Sequence, residues 1–448
     1  MFDENYGRYP LGYSNSPFQC GLSGKSYSFL EVKERVDYLA RALSKELGFK
    51  PNEGSEWDKT IALFSVNTID YLPVCWATHK LGGVLTAANA AYSAGDLEYQ
   101  LKHSGAKAIF TSALQLETTK EACAKAGIPT SRIFILPLPE QIARDGASTS
   151  GHKTLEDFIA EGSKLPQLER LDWQAGDSAK KVAFLCYSSG TSGLPKGVMI
   201  SHKNVISNTL QFRAFEQPAR DRRKQQHNIA EWTENCLGLL PLSHIYGLIV
   251  IAHVGPYRGD GVVVLPKYDF KQLLQSIQDF KIAMLYLVPP MIIHLTNAKD
   301  IAKKYDLSSV HGCFTGAAPL GKETAEELQS MFPSWDIRQG YGLTETATVV
   351  CATVPGDIWF GSSGNLLPGV KARIVTVEGN EITGYDQPGE LWVNSPSVTL
   401  GYLKNDKATK ETFVEEEDGR YMRTGDEAVV RKSPNGHEHI FIVDRIKE

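Results

Sequence analysis

The sequence has 448 residues, 42% of them hydrophobic, which is enough for two or three folding units with sizeable cores. Its formal net charge of -5 excludes the basic surface typical of a dedicated nucleic-acid-binding protein, and its apolar stretches are shorter than the ~20 residues that a membrane-spanning helix needs. The seven scattered cysteines form no C-x-x-C pair, so they indicate a reducing compartment and neither a disulfide framework nor a zinc site.

The first 350 residues alternate between helical and strand-like segments. Ser28 and Glu31 form a capping box ahead of apolar residues at helical spacing, and Gly48 ends that pattern. Short apolar runs then alternate with further helical patterns, which predicts a layered α/β fold. The strand-like runs are 61–64, 108–111, 182–187, 261–265 and 283–288, and the helical patterns are 69–81, 96–101 and 322–331.

The pattern changes after about residue 350. Short strand-like runs at 371–377, 389–393 and 438–443 are separated by Gly, Pro, Asn and Asp turns. We therefore predict two α/β subdomains within residues 1–350 and a small β-barrel or β-rich subdomain within 351–446.

The segment 213–235 is charged and poorly periodic, which predicts a solvated or mobile loop. Its basic residues also allow a second, less favoured interpretation as a docking patch. Those residues are Arg220, Arg222, Arg223 and Lys224.

One glycine-rich segment, Tyr187-Ser-Ser-Gly-Thr-Ser-Gly-Leu-Pro-Lys-Gly197, has the composition of a phosphate-binding loop. Glycines let the backbone approach phosphate oxygens, while hydroxyls and a lysine supply donors and positive charge. It is not a Walker A loop, because Lys196 is followed by Gly197 and a strand-like run instead of Ser or Thr and a helix. A flexible turn is the plainer alternative. The predicted phosphate-binding residues are Ser188, Ser189, Gly190, Thr191, Ser192, Gly193 and Lys196.

Five further segments follow this loop: Pro241-Leu-Ser-His-Ile-Tyr-Gly247, Gly316-Ala-Ala-Pro-Leu320, Gln339-Gly-Tyr-Gly-Leu-Thr-Glu-Thr346, Tyr421-Met-Arg-Thr-Gly-Asp426 and Asp444-Arg-Ile-Lys447. The six motifs, in this order, resemble the acyl-adenylate-forming superfamily of acyl- and aryl-CoA synthetases, luciferases and nonribosomal-peptide adenylation domains. Within it the sequence is most similar to 4-coumarate:CoA ligase-like enzymes, particularly of fungal type. The resemblance covers nearly the whole chain.

The resemblance implies two reactions. A substrate carboxylate attacks the α-phosphorus of ATP to give acyl-AMP and pyrophosphate, and CoA then takes the acyl group as a thioester. It implies that Glu345 holds Mg²⁺ and that Thr344 hydrogen-bonds the α-phosphate or the substrate carboxylate, roles that suit a carboxylate and a hydroxyl. Lys196, His244, Thr344 and Glu345 are the implied catalytic residues.

Further nucleotide contacts are implied in the same way. Asp426 would accept hydrogen bonds from the ribose hydroxyls, and Arg445 would support the same sugar. Lys267 would contact a CoA phosphate, although a surface lysine is nearly as plausible. The residues implied around adenine are Ala317, Gln339, Gly340 and Tyr341, with Tyr341 stacking on the base.

His244 falls where the family keeps an aromatic residue beside the acyl carboxylate, so we favour a contacting role, although a lone histidine is more often structural. The segment from His244 to Tyr246 resembles 4-coumarate:CoA ligases and favours an aryl or arylalkyl acid, with medium-chain fatty acids as the alternative. The acyl pocket implied by the resemblance contains His244, Ile245, Tyr246, Gly247, Val288, Gly316, Gly342, Thr348 and Val349.

The chain ends one residue after Lys447, which aligns with the hinge to a C-terminal lid that the family carries. We expect the lid to be absent, and with it a lysine that stabilises the adenylation transition state. The chain should then bind ATP and acid but adenylate slowly. Transfer of the acyl group to a carrier protein, luciferase-type oxidation and a lidless binding paralogue remain alternatives. The expected location is cytoplasmic or peroxisomal.

Overall fold

The computed structural model describes residues 1–143, 151–188 and 194–446. In these ranges a π-helix covers Tyr246–Val254. The α-helices are α1 Phe29–Leu47, α2 Tyr71–Lys80, α3 Ala94–Ser104, α4 Leu116–Ala126, α5 Leu155–Gly162, α6 His202–His227, α7 Gly255–Tyr257, α8 Phe270–Phe280, α9 Pro289–Asn297, α10 Lys299–Ala302, α11 Lys322–Met331 and α12 Asp406–Thr412.

The strands follow the predicted alternation with these helices. They are β1 Phe18–Cys20, β2 Ser26–Tyr27, β3 Ile61–Phe64, β4 Leu85–Ala88, β5 Ala108–Ser112, β6 Ile133–Leu136, β7 Val182–Ser188, β8 Lys196–Ser201, β9 Asn235–Gly238, β10 Gly261–Val264, β11 Ile282–Leu287, β12 Gly312–Thr315, β13 Asp336–Leu343, β14 Thr348–Ala352, β15 Asn365–Leu366, β16 Lys371–Val375, β17 Glu381–Ile382, β18 Gly389–Asn394, β19 Phe413–Glu416, β20 Gly419–Lys432 and β21 Glu438–Arg445.

The described strands form three sheets. The first has the order β6-β5-β3-β4-β7-β8 and is parallel except for β8. The second has the order β15-β14-β13-β12-β11-β9-β10-β1-β2, with a parallel centre and antiparallel pairs at its two ends. Helices from the βαβ connections pack on these mixed sheets and bury their apolar strands. This arrangement confirms the predicted α/β layering.

The third sheet contains the strands after Lys371 and is antiparallel. Its order is β17-β16-β18-β20-β19, and β21 pairs with the far end of the long strand β20. Alternate side chains of β18 are buried, as expected for a sheet with one face on the core. In this sheet Asp426 of β20 lies opposite Arg445 of β21, and Asp426 also contacts Tyr341 of β13.

The first helix shows why some predictions from local sequence succeed. The Ser28 hydroxyl accepts a hydrogen bond from the Glu31 amide, and the Glu31 carboxylate accepts one from the Ser28 amide. Gly48 ends the helix with a left-handed φ of 71°. Both signals are local, so the sequence alone specifies them.

The prediction of a loop at 213–235 is wrong for residues 213–227, because α6 continues to His227, and only 228–234 are irregular. The buried residues of α6 recur about every four positions, but most are polar, so a search for apolar periodicity misses them. They include Asn204, Asn208, Phe212, Glu216 and Arg220.

The basic residues at the end of α6 are largely committed to internal contacts. Arg220 is buried and donates to both oxygens of Asp260, at 2.8 and 3.2 Å. Arg223 bonds Asp336 at 2.8 Å, and Arg222 donates to the Pro355 carbonyl at 3.3 Å. These contacts explain the charges of the segment without a docking partner.

None of the helices in the described ranges combines the length and the apolar character that crossing a bilayer requires. The seven cysteines are buried and carry free thiols. Their burial is consistent with small apolar side chains in the core.

A buried histidine in the π-helix is held in its neutral form. His253 Nε2 accepts a hydrogen bond from Trp76 Nε1 at 3.2 Å, and its Nδ1 lies 2.6 Å from the Leu248 carbonyl, which can only accept. Burial lowers the pKa of His253 to about 4. Protonation would place a second N–H against the Trp76 donor, so acid must disrupt this contact.

We predict that the protein loses stability as the pH falls from about 6.5 to about 4, because the unfolded chain takes up a proton that folded His253 refuses. The full loss from this one side chain is about 3 kcal/mol at ~1.4 kcal/mol per pH unit. Urea unfolding at pH 7 and pH 5 should register about 2 kcal/mol of this loss. Burial also lowers the pKa values of His79 and His202, so His253→Gln should lessen the dependence by about that amount without abolishing it, whereas the exposed control His227→Gln should not change it. An unchanged pH dependence in His253→Gln would contradict this account.

Candidate active site

The two ends of the predicted phosphate loop lie side by side. Strand β7 ends at Ser188, strand β8 begins at Lys196, and these two residues are partners in the antiparallel ladder. The intervening predicted residues lie outside the described ranges, so their roles stay predictions. They are Ser189, Gly190, Thr191, Ser192 and Gly193.

Helix α3 contacts both ends of this loop. The Tyr99 hydroxyl donates to the Pro195 carbonyl at 3.1 Å, and His103 Nδ1 lies 2.8 Å from the Tyr187 hydroxyl. The Tyr99 and His103 rings also stack, with centroids 5.4 Å apart. Neither Tyr99 nor His103 was predicted, because each looks like an ordinary surface position on a helix.

Glu345 joins the loop from the second mixed sheet. It lies in a short 3₁₀ turn directly after β13 and is buried. Its Oε1 accepts hydrogen bonds from the Ser188 hydroxyl at 3.2 Å and from the Tyr402 hydroxyl at 2.9 Å. The structure therefore brings together the predicted metal ligand and the predicted phosphate loop, which are 157 residues apart.

Tyr402 completes this group and was not predicted. It forms a β-bridge with Val198 of β8, and its ring centroid lies 5.1 Å from Lys196 Nζ. A Gly-Tyr pair after an irregular segment carries no distinctive local pattern, so the sequence offered no signal for it.

The donor set suits Mg²⁺. Of the residues that the structure describes, Ser188 and Tyr402 both donate to Oε1 of Glu345, which leaves Oε2 for a cation. Within the described ranges no group of three or more His, Cys, Asp or Glu side chains could hold a metal ion. Mg²⁺ is usually bound through one or two carboxylates together with substrate phosphates, so a single buried carboxylate beside a phosphate loop fits it.

A second polar group lies where β13 meets the third sheet. The Tyr341 hydroxyl donates to Asp426 Oδ2 at 2.5 Å, and Arg445 Nε donates to Oδ1 at 3.2 Å. Burial and the Asp426 charge raise the pKa of Tyr341 well above its ordinary value, so Tyr341 stays a donor. Three residues predicted to surround the nucleoside thus meet in one place, while Lys447 of the same motif lies outside the described residues.

The other predicted adenine contacts lie on the loops beside this group. The Gln339 side chain accepts from the Leu320 amide at 2.9 Å and donates to the Ser362 carbonyl at 3.4 Å, so it ties two loops together. Ala317 is exposed, with a left-handed φ of 67° that non-glycine residues rarely adopt. Gly340 is required by packing, because a Cβ there would lie 2.4 Å from Phe314.

The predicted acyl pocket has a rigid aromatic wall. Tyr246 is buried, and its hydroxyl donates to the Phe314 carbonyl at 2.9 Å. The Phe314 and Tyr286 rings pack edge-on against it, with centroids 6.2 and 6.3 Å away. A Cβ at Gly316 would lie 3.6 Å from the Tyr246 ring, so this glycine leaves space directly beside the wall.

Strand β14 contacts the same turn. Thr348 Oγ1 donates to the Ile245 carbonyl at 3.1 Å, which ties β14 to the turn that carries His244. Val349 is buried next to it. A Cβ at Gly342 would lie 1.6 Å from the Thr348 carbonyl oxygen, so only glycine fits there.

His244 is accessible to solvent, and its Nδ1 accepts a hydrogen bond from the Tyr246 amide at 3.2 Å. The surrounding protein lowers its pKa by removing water. A neutral imidazole in this arrangement presents Nε2–H as a donor, which suits contact with a carboxylate.

Asn67 fixes the turn before His244 and was also not predicted. Its Nδ2 donates to the Leu239 and Leu240 carbonyls at 3.2 and 2.9 Å, and its Oδ1 accepts from the Leu242 amide at 2.9 Å. Asn67 follows β3 at the carboxyl end of the first sheet, where α/β proteins place their sites. That position is the signal by which the sequence could have pointed to it.

Three further predicted residues are Gly247 and Val288, which belong to the predicted acyl pocket, and Lys267, which lies apart from it. Gly247 is required by packing, because a Cβ there would lie 2.4 Å from the Pro241 carbonyl oxygen, and Val288 is half-buried just before α9. Lys267 is exposed and lines a separate cleft of about 540 Å³ that also contains Val66. Its predicted contact with CoA stays a prediction.

The chain is similar in sequence to a known enzyme family and to fungal acyl-CoA ligases. The pattern of a family described as AMP-binding enzyme matches residues 12–403. The acyl-CoA ligase easD of Emericella nidulans is 39% identical over 432 residues, covering 96% of this chain and 74% of easD. The acyl-CoA ligase AFT1-1 of Alternaria alternata is 40% identical, covering 96% of this chain and 72% of its own.

Solved structures show the same fold. A long-chain-fatty-acid-CoA ligase, FadD1 of Archaeoglobus fulgidus, superposes with a TM-score of 0.79 at 22% identity, covering 97% of this chain and 81% of FadD1. The N-terminal domain of FACL13 of Mycobacterium tuberculosis superposes with a TM-score of 0.75 at 18% identity, covering 96% and 95% of the two chains.

Proposed function

The chain belongs to the family of AMP-binding enzymes, and on that basis we propose that it is an ATP-dependent acyl-CoA ligase. The observation that carries the proposal is the meeting of Ser188, Lys196 and Glu345, together with the contact of Asp426 with Tyr341 on the strand that leads to Glu345. The similarity to fungal acyl-CoA ligases supports the same activity.

In this proposal each group handles one part of ATP. The Asp426 carboxylate accepts hydrogen bonds from the ribose hydroxyls, and Lys196 and Ser188 face the phosphates. Mg²⁺ held by Glu345 would neutralise phosphate charge. Nucleotidyl transfer depends mainly on such positioning and charge neutralisation, and the described residues supply both.

The acid enters beside Tyr246 and His244. One oxygen of its carboxylate attacks the α-phosphorus of ATP, the bond to the β-phosphate oxygen breaks, and pyrophosphate leaves. The thiol of CoA then attacks the acyl carbonyl and AMP leaves with the electron pair of the broken bond. His244 borders the carboxylate as a hydrogen-bond donor.

Mass spectrometry of the product tests the thiol acceptor. The protein is incubated with ATP, Mg²⁺ and a panel of aryl, arylalkyl and medium-chain fatty acids, with either CoA or a phosphopantetheinylated carrier protein. We expect acyl-CoA from an aryl or arylalkyl acid. An acylated carrier without acyl-CoA would replace the ligase proposal with the carrier alternative.

If the pocket beside Tyr246 holds a flat acid, Gly316→Ala should weaken binding of that acid. The added methyl group would stand 3.4 Å from the Gly340 carbonyl oxygen and 3.6 Å from the Tyr246 ring, so the fold accommodates it while the pocket narrows. We expect the KM for the acid to rise about tenfold with the KM for ATP unchanged. Gly321→Ala, at the exposed N-cap of α11 where an added methyl group meets no atom closer than 3.8 Å, is the matched control. An unchanged KM for the acid would place the acyl group elsewhere.

A further inference from the structure

We propose that Tyr402 is a positioning residue that orients the Glu345 carboxylate and the Lys196 ammonium toward a metal–nucleotide complex. The proposal rests on the roles given above to Glu345 and Lys196. It adds a residue from the segment after β18 to the pair formed by Ser188 and Glu345, which come from the two mixed sheets.

The first contact fixes the carboxylate. The Tyr402 hydroxyl donates to Glu345 Oε1 at 2.9 Å, and the Ser188 hydroxyl donates to the same oxygen at 3.2 Å. Two donors on one oxygen hold the carboxylate in one rotamer and leave the other oxygen for a cation.

The second contact concerns Lys196. Its ammonium nitrogen lies 5.1 Å from the centroid of the Tyr402 ring, within the range of a cation–π interaction. Within the part of the chain that the structure describes, Lys196 takes part in no ion pair. The ring therefore restrains the ammonium group without removing the charge that a phosphate would need.

The backbone keeps Tyr402 in place. Tyr402 pairs with Val198, and the Leu403 amide donates to the Gly197 carbonyl at 2.8 Å. The Tyr402 amide donates to Thr409 Oγ1 at 2.9 Å. Gly401 has a φ of +136°, and a Cβ there would lie 2.5 Å from Thr409, so a side chain before Tyr402 is excluded. The tyrosine is thus attached to β8 by main-chain contacts that its hydroxyl does not affect.

Tyr402→Phe tests the proposal, because it keeps the ring and the main-chain pairing and removes only the hydroxyl. Binding of Mn²⁺·ATP, followed by calorimetry and by the Mn²⁺ electron paramagnetic resonance signal, should weaken about tenfold. The half-saturating Mg²⁺ concentration in acid-dependent exchange of pyrophosphate into ATP should rise by a similar factor, with the KM for the acid and the Tm unchanged. Tyr421→Phe is the matched control, since Tyr421 is also buried and donates to a carboxylate, Asp418, at 2.8 Å.

Unchanged Mn²⁺·ATP binding in Tyr402→Phe would overturn the proposal. A fall in Tm without a selective loss of metal–nucleotide binding would overturn it as well, because Tyr402 would then be structural. If the wild-type protein shows no acid-dependent exchange but its Mn²⁺·ATP binding still depends on the Tyr402 hydroxyl, the ligase proposal fails and the positioning role stands.

Discussion

Glu345→Gln is expected to lower acid-dependent exchange of pyrophosphate into ATP by about 10²–10³-fold, the usual effect of removing one electrostatic group aimed at the reacting phosphates. Glutamine has nearly the same shape and can still accept hydrogen bonds from Ser188 and Tyr402, so the change isolates the negative charge. The exchange rate at saturating ATP and rising Mg²⁺ measures it. The loss should be partly recovered at high Mg²⁺ if the charge acts through the cation.

Glu417→Gln, on the exposed turn between β19 and β20, is the matched control and should exchange at the wild-type rate. Exchange by Glu345→Gln within threefold of wild type would remove Glu345 from the catalytic group. The hydrogen bonds to Tyr402 and Ser188 would then be structural contacts.

Glu216→Gln is expected to lower the free energy of unfolding by about 3–5 kcal/mol, because it leaves a buried arginine without its counter-charge. Glu216 accepts from Arg338 Nη1 and Nη2 at 2.6 and 3.0 Å, and Arg258 Nη1 lies 4.0 Å away. Burial alone would raise the pKa of Glu216, yet these two guanidinium groups hold it below its ordinary value. Urea unfolding at pH 7 measures the loss.

The double variant Glu216→Leu with Arg338→Met removes both charges and should be more stable than either single variant, since no charge is then left unpaired. A double variant less stable than both single variants would contradict the account. The Glu216–Arg338 ion pair lies close to the site, because Arg338 directly precedes Gln339 on β13. The Arg338 guanidinium lies 5.5 Å from the centroid of the Phe314 ring.

The same ion pair shows where prediction from sequence fails. Charged residues between positions 213 and 227 resemble a solvated loop, but their partners, Arg338 and Asp260, come from other parts of the chain. Their pairing makes burial of a charged helix face possible. Apolar periodicity cannot predict such long-range ion pairs. It does predict the apolar strands of the two mixed sheets, and local sequence predicts the capping of α1.

The site residues also divide into those that local sequence predicts and those that depend on contacts between distant parts of the chain. Two motifs that indicate phosphate and metal binding contain Ser188, Lys196 and Glu345, and the structure brings these residues together. Tyr402 and Asn67 act through contacts with residues that are distant in sequence. No local pattern marks Tyr402, whereas the position of Asn67 directly after β3 is the one signal that the sequence offers. The contacts of both residues form only once the sheets are assembled.

The central claim is that this chain joins a carboxylic acid to AMP. Exchange of radiolabelled pyrophosphate into ATP, run with and without each acid of the panel, tests it most directly, since label accumulates even when adenylation is slow. The account predicts exchange that depends on an aryl or arylalkyl acid and on Mg²⁺, and that is lost in Glu345→Gln. Binding of ATP without acid-dependent exchange for any acid would contradict it.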